Sequence, residues 1–483
     1  MTRGLAILVL PAVVAMALSV VDIPGTPQPE IAQGNTWHIY TVGWAGGPHT
    51  STSLALDDSD WPYIAYFDNN DSTLKLANWN GNAWVFQTVD DGVAVNWEGG
   101  VSLALGSDGH PRMAYSDTMH RDLKYAEWNG STWRIAVVEP AGAMGFGFVS
   151  LALDGGNRPH LSYGDFYFGN LRYATRDVTA WRTETVDVGG NAGYWTTIRL
   201  DVHDWPHIGY TQEANLTQGS FRCELKYAGW NGNAWTIETV DSTHFLDFPS
   251  SMDLDSLDSP HFSYIDSTQT HLKYARRNGS SWHSEVVDSS TYMGSGHSLV
   301  LDSVDRPRII YHVLSPSYSL KYAELNGTAW TTETIESFYD GRISLAVDSQ
   351  DLPHASYVAT VPPYSVKYAS KAELSLTTRT RQISLDIDPG TLNKKSRGRW
   401  ITAYLDVENA SPEDIDPASL LLNDVVPPSW WKVQSDTTLM VKFDRAAVQG
   451  IVPVSDSVDI KVTGRWTDGG SFEVHDTIRA IDP

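Results

Sequence analysis

One phrase, S-L-A-L-D-D-S-D-W-P-Y-I-A-Y-F-D…L-K-L-A-N-W-N-G-N-A-W-V-F-Q-T-V-D, fills Ser53–Asp90 and then returns six times. New copies begin at Ser102, Ser150, Thr197, Ser251, Ser298 and Ser344. From Ser53 to Ser344 is 291 residues in six steps, or 48.5 per step. A unit of that length cannot bury its apolar face alone, so its copies must share a core. Short alternating segments at this period predict a β-propeller.

Each copy reads as four strands with period-2 alternation. The first, S-L-A-L-D, ends in a turn Asp-x-x-(Asp/Asn/Gly)-x-Pro. Its first acid is Asp57, Asp154, Asp201, Asp255, Asp302 or Asp348, with Gly106 as the exception. Carboxylates three apart, such as Asp57 and Asp60, are also a metal pattern. A repeated Asx turn with Pro at its exit accounts for them more simply, and no metal is expected. The second strand ends in Tyr in all seven copies, at Tyr66, Tyr115, Tyr163, Tyr210, Tyr264, Tyr311 and Tyr357. Within it His160, His207, His261 and His354 share one position with Tyr63, Arg112 and Arg308. A residue repeated in most copies serves packing or hydrogen bonding, because one active site needs one copy. The third strand, L-K-Y-A, leads into a W-N-G-x-x-W hairpin, where Asn-Gly is a strong turn signal. The fourth reads W-x-x-E-T-V-D.

The seventh copy stops after Val366–Ala369, and its fourth strand lies at the other end of the chain. Gly34-Asn-Thr-Trp37-His-Ile-Tyr-Thr-Val42 matches Gly81-Asn-Ala-Trp84-Val-Phe-Gln-Thr-Val89 step for step. The expected architecture is therefore all-β, a seven-bladed β-propeller closed by an N-terminal strand. Closure removes a seam that would leave strand edges unpaired.

The flanks have other grammars. Residues 1–17 read as a signal peptide, with Arg3, an apolar run from Leu5 and Ala15-Met-Ala17 as a cleavage site. A lead-in covers 18–36, the propeller 37–370 and a linker 371–381. Residues 382–483 carry six or seven short strand patterns, which predicts a small, Ig-like β-sandwich. The protein is expected to be secreted, extracellular or periplasmic, and monomeric. One cysteine, Cys223, excludes an intrachain disulfide, and the length allows more than one core. The net charge of −24 argues against nucleic acid and anionic membranes as partners.

Copies diverge most in the loops between strand four and the next strand one, and between strands two and three. A unique site belongs there. The candidates are Trp44, His49, Trp97, Glu98, Tyr194, Trp195, Arg199, Phe245, Tyr292, His297, Tyr339 and Arg342. Aromatic rings around a funnel suit sugar faces, with polar side chains taking the hydroxyls. Capping of the sheet ends is the plainer role for any one of them. The insertion Thr211–Glu224 is the longest departure from the repeat. No catalytic residue and no cofactor is indicated. A structural calcium stays open, with no motif naming it.

The phrases L-A-L-D…P-H-I-A-Y and L-K-Y-A-x-W-N-G-x-x-W resemble repeats of secreted bacterial propellers, similar to the fucose-specific lectin and sialidase-like propellers. The sialidase Asp-box and arginine trio are not matched here. The resemblance bears on the fold and little on activity; the aromatic loop set, with no catalytic motif beside it, points to a carbohydrate or other extracellular ligand bound without catalysis. The alternatives are a carbohydrate-active enzyme, lyase or glycosidase, working in the central funnel, and a protein-docking platform. A lyase of this kind would draw on His49, His297, Tyr194, Arg199 and Arg342.

Overall fold

The computed structural model describes residues 37–47, 51–93, 100–139, 146–165, 168–177, 180–189, 192–214, 222–243, 250–266, 270–289, 293–315, 317–337, 342–359, 364–374, 382–408, 411–435, 437–467 and 471–482. Two compact units, Met1–Leu374 and Ser375–Pro483, divide the chain. Among the described residues no helix is long and apolar enough to cross a membrane.

Among the described residues the first unit consists of seven four-stranded antiparallel sheets. Sheet 1 runs Thr52–Leu56, Pro62–Asp68, Thr73–Trp79 and Trp84–Asp91. Sheets 2 to 6 follow at 101–139, 146–187, 194–243, 251–288 and 293–337. Sheet 7 takes Ile343–Val347, Pro353–Val358 and Ser365–Ser370 from the last repeat, and His38–Trp44 pairs onto its outer edge, His38 opposite Ser370. The inner strand of each sheet contacts that of the next, and sheet 7 contacts sheet 1. The arrangement is consistent with a β-propeller.

Repeated side chains lock each sheet to its neighbour. The repeated Ser of S-L-A-L accepts a backbone N–H from the next inner strand: Leu103 onto Ser53 at 3.0 Å, Leu151 onto Ser102 at 3.0 Å, Leu299 onto Ser251 at 2.9 Å. Leu54 onto Ser344, at 3.0 Å, completes the circuit. Strand two runs on past its repeated Tyr, which donates to an acid near the end of the previous sheet's strand four, Tyr210 to Asp187, Tyr264 to Asp241 and Tyr311 to Asp288, each at 2.6 Å. The Trp opening strand four does the same further out, Trp235 to Glu184 at 2.8 Å and Trp330 to Glu285 at 3.0 Å. Trp37, from the N-terminal strand, reaches Glu333 at 3.0 Å and packs edge-on against Tyr322.

The repeated acids and histidines act in the fold. Asp57 Oδ1 accepts the Ser59 and Trp61 N–H groups at 2.8 and 2.9 Å, an Asx turn. Asp60 accepts the Ser349 N–H and hydroxyl from the neighbouring sheet at 2.9 and 2.6 Å. His207 bridges Tyr227, at 2.5 Å, and Asp201, at 3.5 Å; His261 bridges Tyr274, at 2.5 Å, and Asp255, at 3.2 Å. Arg308 spans the same gap in sheet 6, donating to Tyr322 and Asp302. Gly106 stands where the acid is missing because Arg112 fills that space and donates to Asp108 instead.

The insertion in sheet 4 begins and ends as strand, not loop. Gln212 pairs with Glu224 and Ala214 with Arg222, extending Pro206–Ala214 and Arg222–Trp230. Both strands run to nine residues, against seven for the same strands of sheets 1 and 2.

The second unit has two four-stranded sheets among the described residues. One orders Gln382–Asp388, Trp400–Glu408, Thr438–Asp444 and Pro428–Val433; the other orders Thr391–Asn393, Ser471–Ile481, Ser455–Trp466 and Ile415–Leu422. Both supply one hydrophobic cluster, Leu405, Val441 and Phe443 from the first with Ile460, Val462 and Ile478 from the second. Pro428–Val433, Thr391–Asn393 and a short helix, Arg445–Ile451 capped by Asp444, add to the strands that alternation predicts.

Candidate functional site

The inner strands leave a cavity of about 260 Å³ between them. Its lining falls at the entry ends of these strands, where the chain arrives from strand four of the sheet before. Hydroxyls dominate it: Ser51, Ser53, Ser102, Ser150, Ser251 and Ser298 all contribute. Most of those are already tied to a neighbouring backbone, so they present a polar but fixed wall.

Among the described residues three inner strands depart from regular pairing at their entry ends. Register shifts fall between Phe146 and Val149, between Tyr194 and Thr197, and between Met293 and His297. Bulges of this kind re-aim side chains and are common beside functional sites. At the second of them Trp195 adopts a left-handed backbone conformation, φ 52°. For so bulky a residue this costs energy, and such strain concentrates at ligand sites. The Arg342 guanidinium lies 5.2 Å from the centre of the Trp195 ring, within cation–π range.

Arg199 sits on the same strand as Trp195, at the position occupied by Ala in sheets 1, 2, 3 and 7. Its Nε donates to Asp253 Oδ1 at 2.9 Å, and an Nη donates to its neighbour's carbonyl, Ile198 O, at 3.0 Å. The other oxygen of Asp253 accepts the Leu301 N–H at 2.9 Å. One carboxylate therefore joins sheets 4, 5 and 6 and holds the arginine at the cavity. His297 is 5% exposed, and its Nδ1 lies 2.9 Å from the Ser263 hydroxyl. Thr196 occupies the equivalent place in sheet 4 and bonds Ser162 at 2.7 Å. His297 is thus both a link between sheets and part of the cavity wall.

Of the twelve residues singled out by sequence, the structure brings four to this cavity: Trp195, Arg199, His297 and Arg342. Trp44 ends the N-terminal strand, is 53% exposed and is not part of the lining. Tyr194 opens the strand that carries Trp195. His49, Trp97, Glu98, Phe245, Tyr292 and Tyr339 lie outside the described residues. Asp253 was missed, although one signal was available: Arg199 and Asp253 are opposite charges at one repeat position in consecutive copies. His120, in a loop between strands two and three, is committed to the fold. Its Nδ1 lies 2.6 Å from Asp117. Burial raises the pKa of that carboxyl, but hydrogen bonds from Lys124 and His120 outweigh it and leave the group below its ordinary value.

No protein-family profile and no curated protein matches the sequence. Among solved structures, AofleA of Arthrobotrys oligospora is 14% identical over 64% of this chain and 90% of its own, with a TM-score of 0.43. The Aleuria aurantia lectin is 12% identical over 61% of this chain and 97% of its own, TM-score 0.41. A polysaccharide lyase, an ulvan lyase, is 12% identical over 68% and 94%, TM-score 0.44. All three TM-scores are below 0.5.

Proposed function

We propose that this chain is a secreted, non-catalytic recognition protein that binds carbohydrate at the axial cavity of a seven-bladed β-propeller. The cyclic contacts of the seven sheets and the pairing of His38–Trp44 with Ser365–Ser370 support the blade count and the N-terminal closure. Two sheets around one cluster support a C-terminal β-sandwich. The domain limits proposed are 37–370 and 382–483, after a signal peptide of 17 residues and a lead-in.

One observation carries the ligand reading: Trp195, held at φ 52° on a bulge, lies in the cavity wall with Arg342 over its ring. An aromatic face beside fixed hydroxyls is the surface a pyranose needs, apolar for its C–H face and polar for its hydroxyls. A screen against polysaccharides tests the reading, following retention and the absorbance of new unsaturated ends together. Retention without chemical change, abolished by Trp195→Ala, is the expected result. Silence in both channels would defeat it and leave a protein-docking platform.

A second reading, a carbohydrate-active enzyme, draws on His297 and Arg342 lining the same cavity. A lyase needs a base near the uronate α-carbon and a cation on its carboxylate. Unsaturated or reducing ends released by the protein, and lost in His297→Gln, would establish it.

A further inference from the structure

The whole chain carries 58 acidic residues against 34 basic ones, yet four of the six residues 394–399 are cations. They lead into Trp400–Glu408, a strand of the second unit. The short helix Arg445–Ile451 holds their loop in place. Gln449 donates to Asn393 O at 2.9 Å and Ser396 O at 3.1 Å, and the Arg445 N–H donates to Arg399 O at 3.1 Å. Lys395 is paired with Asp482 at 3.3 Å. Arg397 and Arg399 are exposed, and among the described residues neither is in an ion pair.

Strand register carries this charge onto one face of a sheet. Val441 and Phe443 turn inward to the hydrophobic cluster, so Lys442 between them turns outward. Trp430, on the edge strand Pro428–Val433, stands opposite Lys442, and Thr402 stands opposite it on the other side. Trp400, two residues before Thr402, shares that face and is a diagonal neighbour of Lys442. The Lys442 ammonium lies 5.0 Å from the centre of the Trp430 ring, and the Arg399 guanidinium 4.5 Å from that of Trp400. Cations and rings therefore alternate across three strands, in the order Arg399, Trp400, Lys442, Trp430. Trp430 is 44% exposed, and Lys442, like Arg399, is in no ion pair among the described residues. The acids of this sheet are placed elsewhere. Asp444 caps the helix, accepting the Ala447 N–H at 2.9 Å, and Asp386 and Asp388 stand on the opposite edge strand.

Single exposed tryptophans are ordinary, but two on one face, each beside a cation without an acid, make a surface with both shape and sign. Indole rings pack on the C–H faces of sugars, and the cations complement anionic substituents. The closeness of ring and cation selects the polymer. In an anionic polysaccharide the charge is borne by the same ring that stacks, whereas in a nucleic acid it is borne by the backbone, away from the bases. Nucleic acid also carries far denser charge, which a molecule of net charge −24 repels more strongly. We infer that the outer face of this sheet is a second binding site, which takes a polysaccharide chain with anionic substituents on its sugars. Arg399 and Lys442 pair with the substituents, and Trp400 and Trp430 carry the rings. The site belongs to the second unit and stands independently of the reading given above for the axial cavity.

Titration calorimetry of the whole chain tests this with probes on one backbone, dextran sulfate, carboxymethyl dextran and plain dextran, and with oligothymidylate as the competing polymer. The two charged dextrans are expected to bind, more weakly as salt rises, and plain dextran to bind at least about tenfold more weakly than either. Trp430→Ala should lower the affinity for the charged dextrans at least about tenfold. Lys442→Gln and Arg399→Gln should each lower it about threefold, the scale of an exposed ion pair, while Lys442→Arg keeps it. Trp195→Ala, in the axial cavity, should leave it unchanged. An unaltered melting temperature in each variant is the folding control. Plain dextran binding as tightly as its charged forms would overturn the inference, and so would oligothymidylate binding as tightly as dextran sulfate. Loss of binding in Trp195→Ala with none in Trp430→Ala would move the ligand to the axial cavity and overturn the second site. No binding of either charged dextran would overturn it outright, leaving the axial reading to its own test.

Discussion

Gly209 leaves the space that Phe262 fills: a Cβ on Gly209 would lie 2.4 Å from Phe262 Cε1. The two residues stand on the second strands of sheets 4 and 5, at positions that meet across each boundary between sheets. Ala65 and Met113 share a cluster at the boundary of sheets 1 and 2, as do Ala114 and Leu161 at the next. At the boundary of sheets 6 and 7 the sizes reverse, with Ile310 against Ala355. The volume of the pair is held while its members vary, as close packing requires.

Adding one methyl at Gly209 should therefore overpack this boundary. Gly209→Ala is expected to cost about 1–3 kcal/mol in denaturant unfolding. Combined with Phe262→Leu, most of that cost should disappear, giving a clear coupling energy in a double-mutant cycle. Strictly additive effects would show that the two side chains do not share the space.

The N-terminal strand should behave as a clasp. Trp37 is 1% exposed, and Trp37→Ala is expected to cost about 3–5 kcal/mol. A chain starting at Ala45 would leave Ser365–Ser370 as an unpaired edge. Such an edge recruits other chains, so light scattering should report oligomers. A monomeric truncated protein of unchanged melting temperature would refute the clasp.

Alkali should reveal the buried phenols. Burial, then the Asp90 hydrogen bond, pushes the Tyr115 hydroxyl far above its ordinary value. Tyr210 and Tyr311 are raised the same way, with Asp187 and Asp288 as their acids. Tyr66 faces Gly43, where other copies carry an acid, and burial takes it to about 12. Because the unfolded chain loses these protons near pH 10 and the folded one keeps them, stability falls as pH rises above about 10. Absorbance near 295 nm should show these tyrosines ionising only together with unfolding. Smooth titration in the folded state would contradict the burial.

Acid should act through the histidines. Burial holds His207 and His261 below the ordinary imidazole value of 6.5, against the raising pull of Asp201 and Asp255. The unfolded chain then takes up protons first, so stability falls as pH drops below about 6.5, down to the lower folded values. The melting temperature should decline from pH 7.5 to pH 5 in the native protein. In a His207→Gln, His261→Gln variant the starting value should be lower and the decline shallower. An equally steep decline in both would assign the loss to other groups.

Much of the fold is written locally. The Asx turn at Asp57, the Asn-Gly hairpins and the alternation within each copy depend on residues a few positions apart, and the structure has them where the pattern puts them. Pro428–Val433 was missed because Pro427, Pro428 and the Trp430-Trp431 pair break alternation. Arg445–Ile451 was missed because seven residues are too few to show a helical period. In the candidate site, Trp195, Arg199, His297 and Arg342 were legible as departures from the repeat. Their convergence on one cavity was not, since each comes from a different part of its strand or a different sheet.

The sequence by itself determined the repeat, its strands and the missing fourth strand of the last copy, because these follow from short-range periodicity and from counting. Only the tertiary structure decided what the repeated residues do for one another. Asp60 bonds Ser349 across 289 residues of chain, and Arg199 meets Asp253 one sheet away. Periodicity is a property of neighbours along the chain. A hydrogen bond between sheets is a property of neighbours in space, and those exist only once the sheets have packed into a closed ring of contacts.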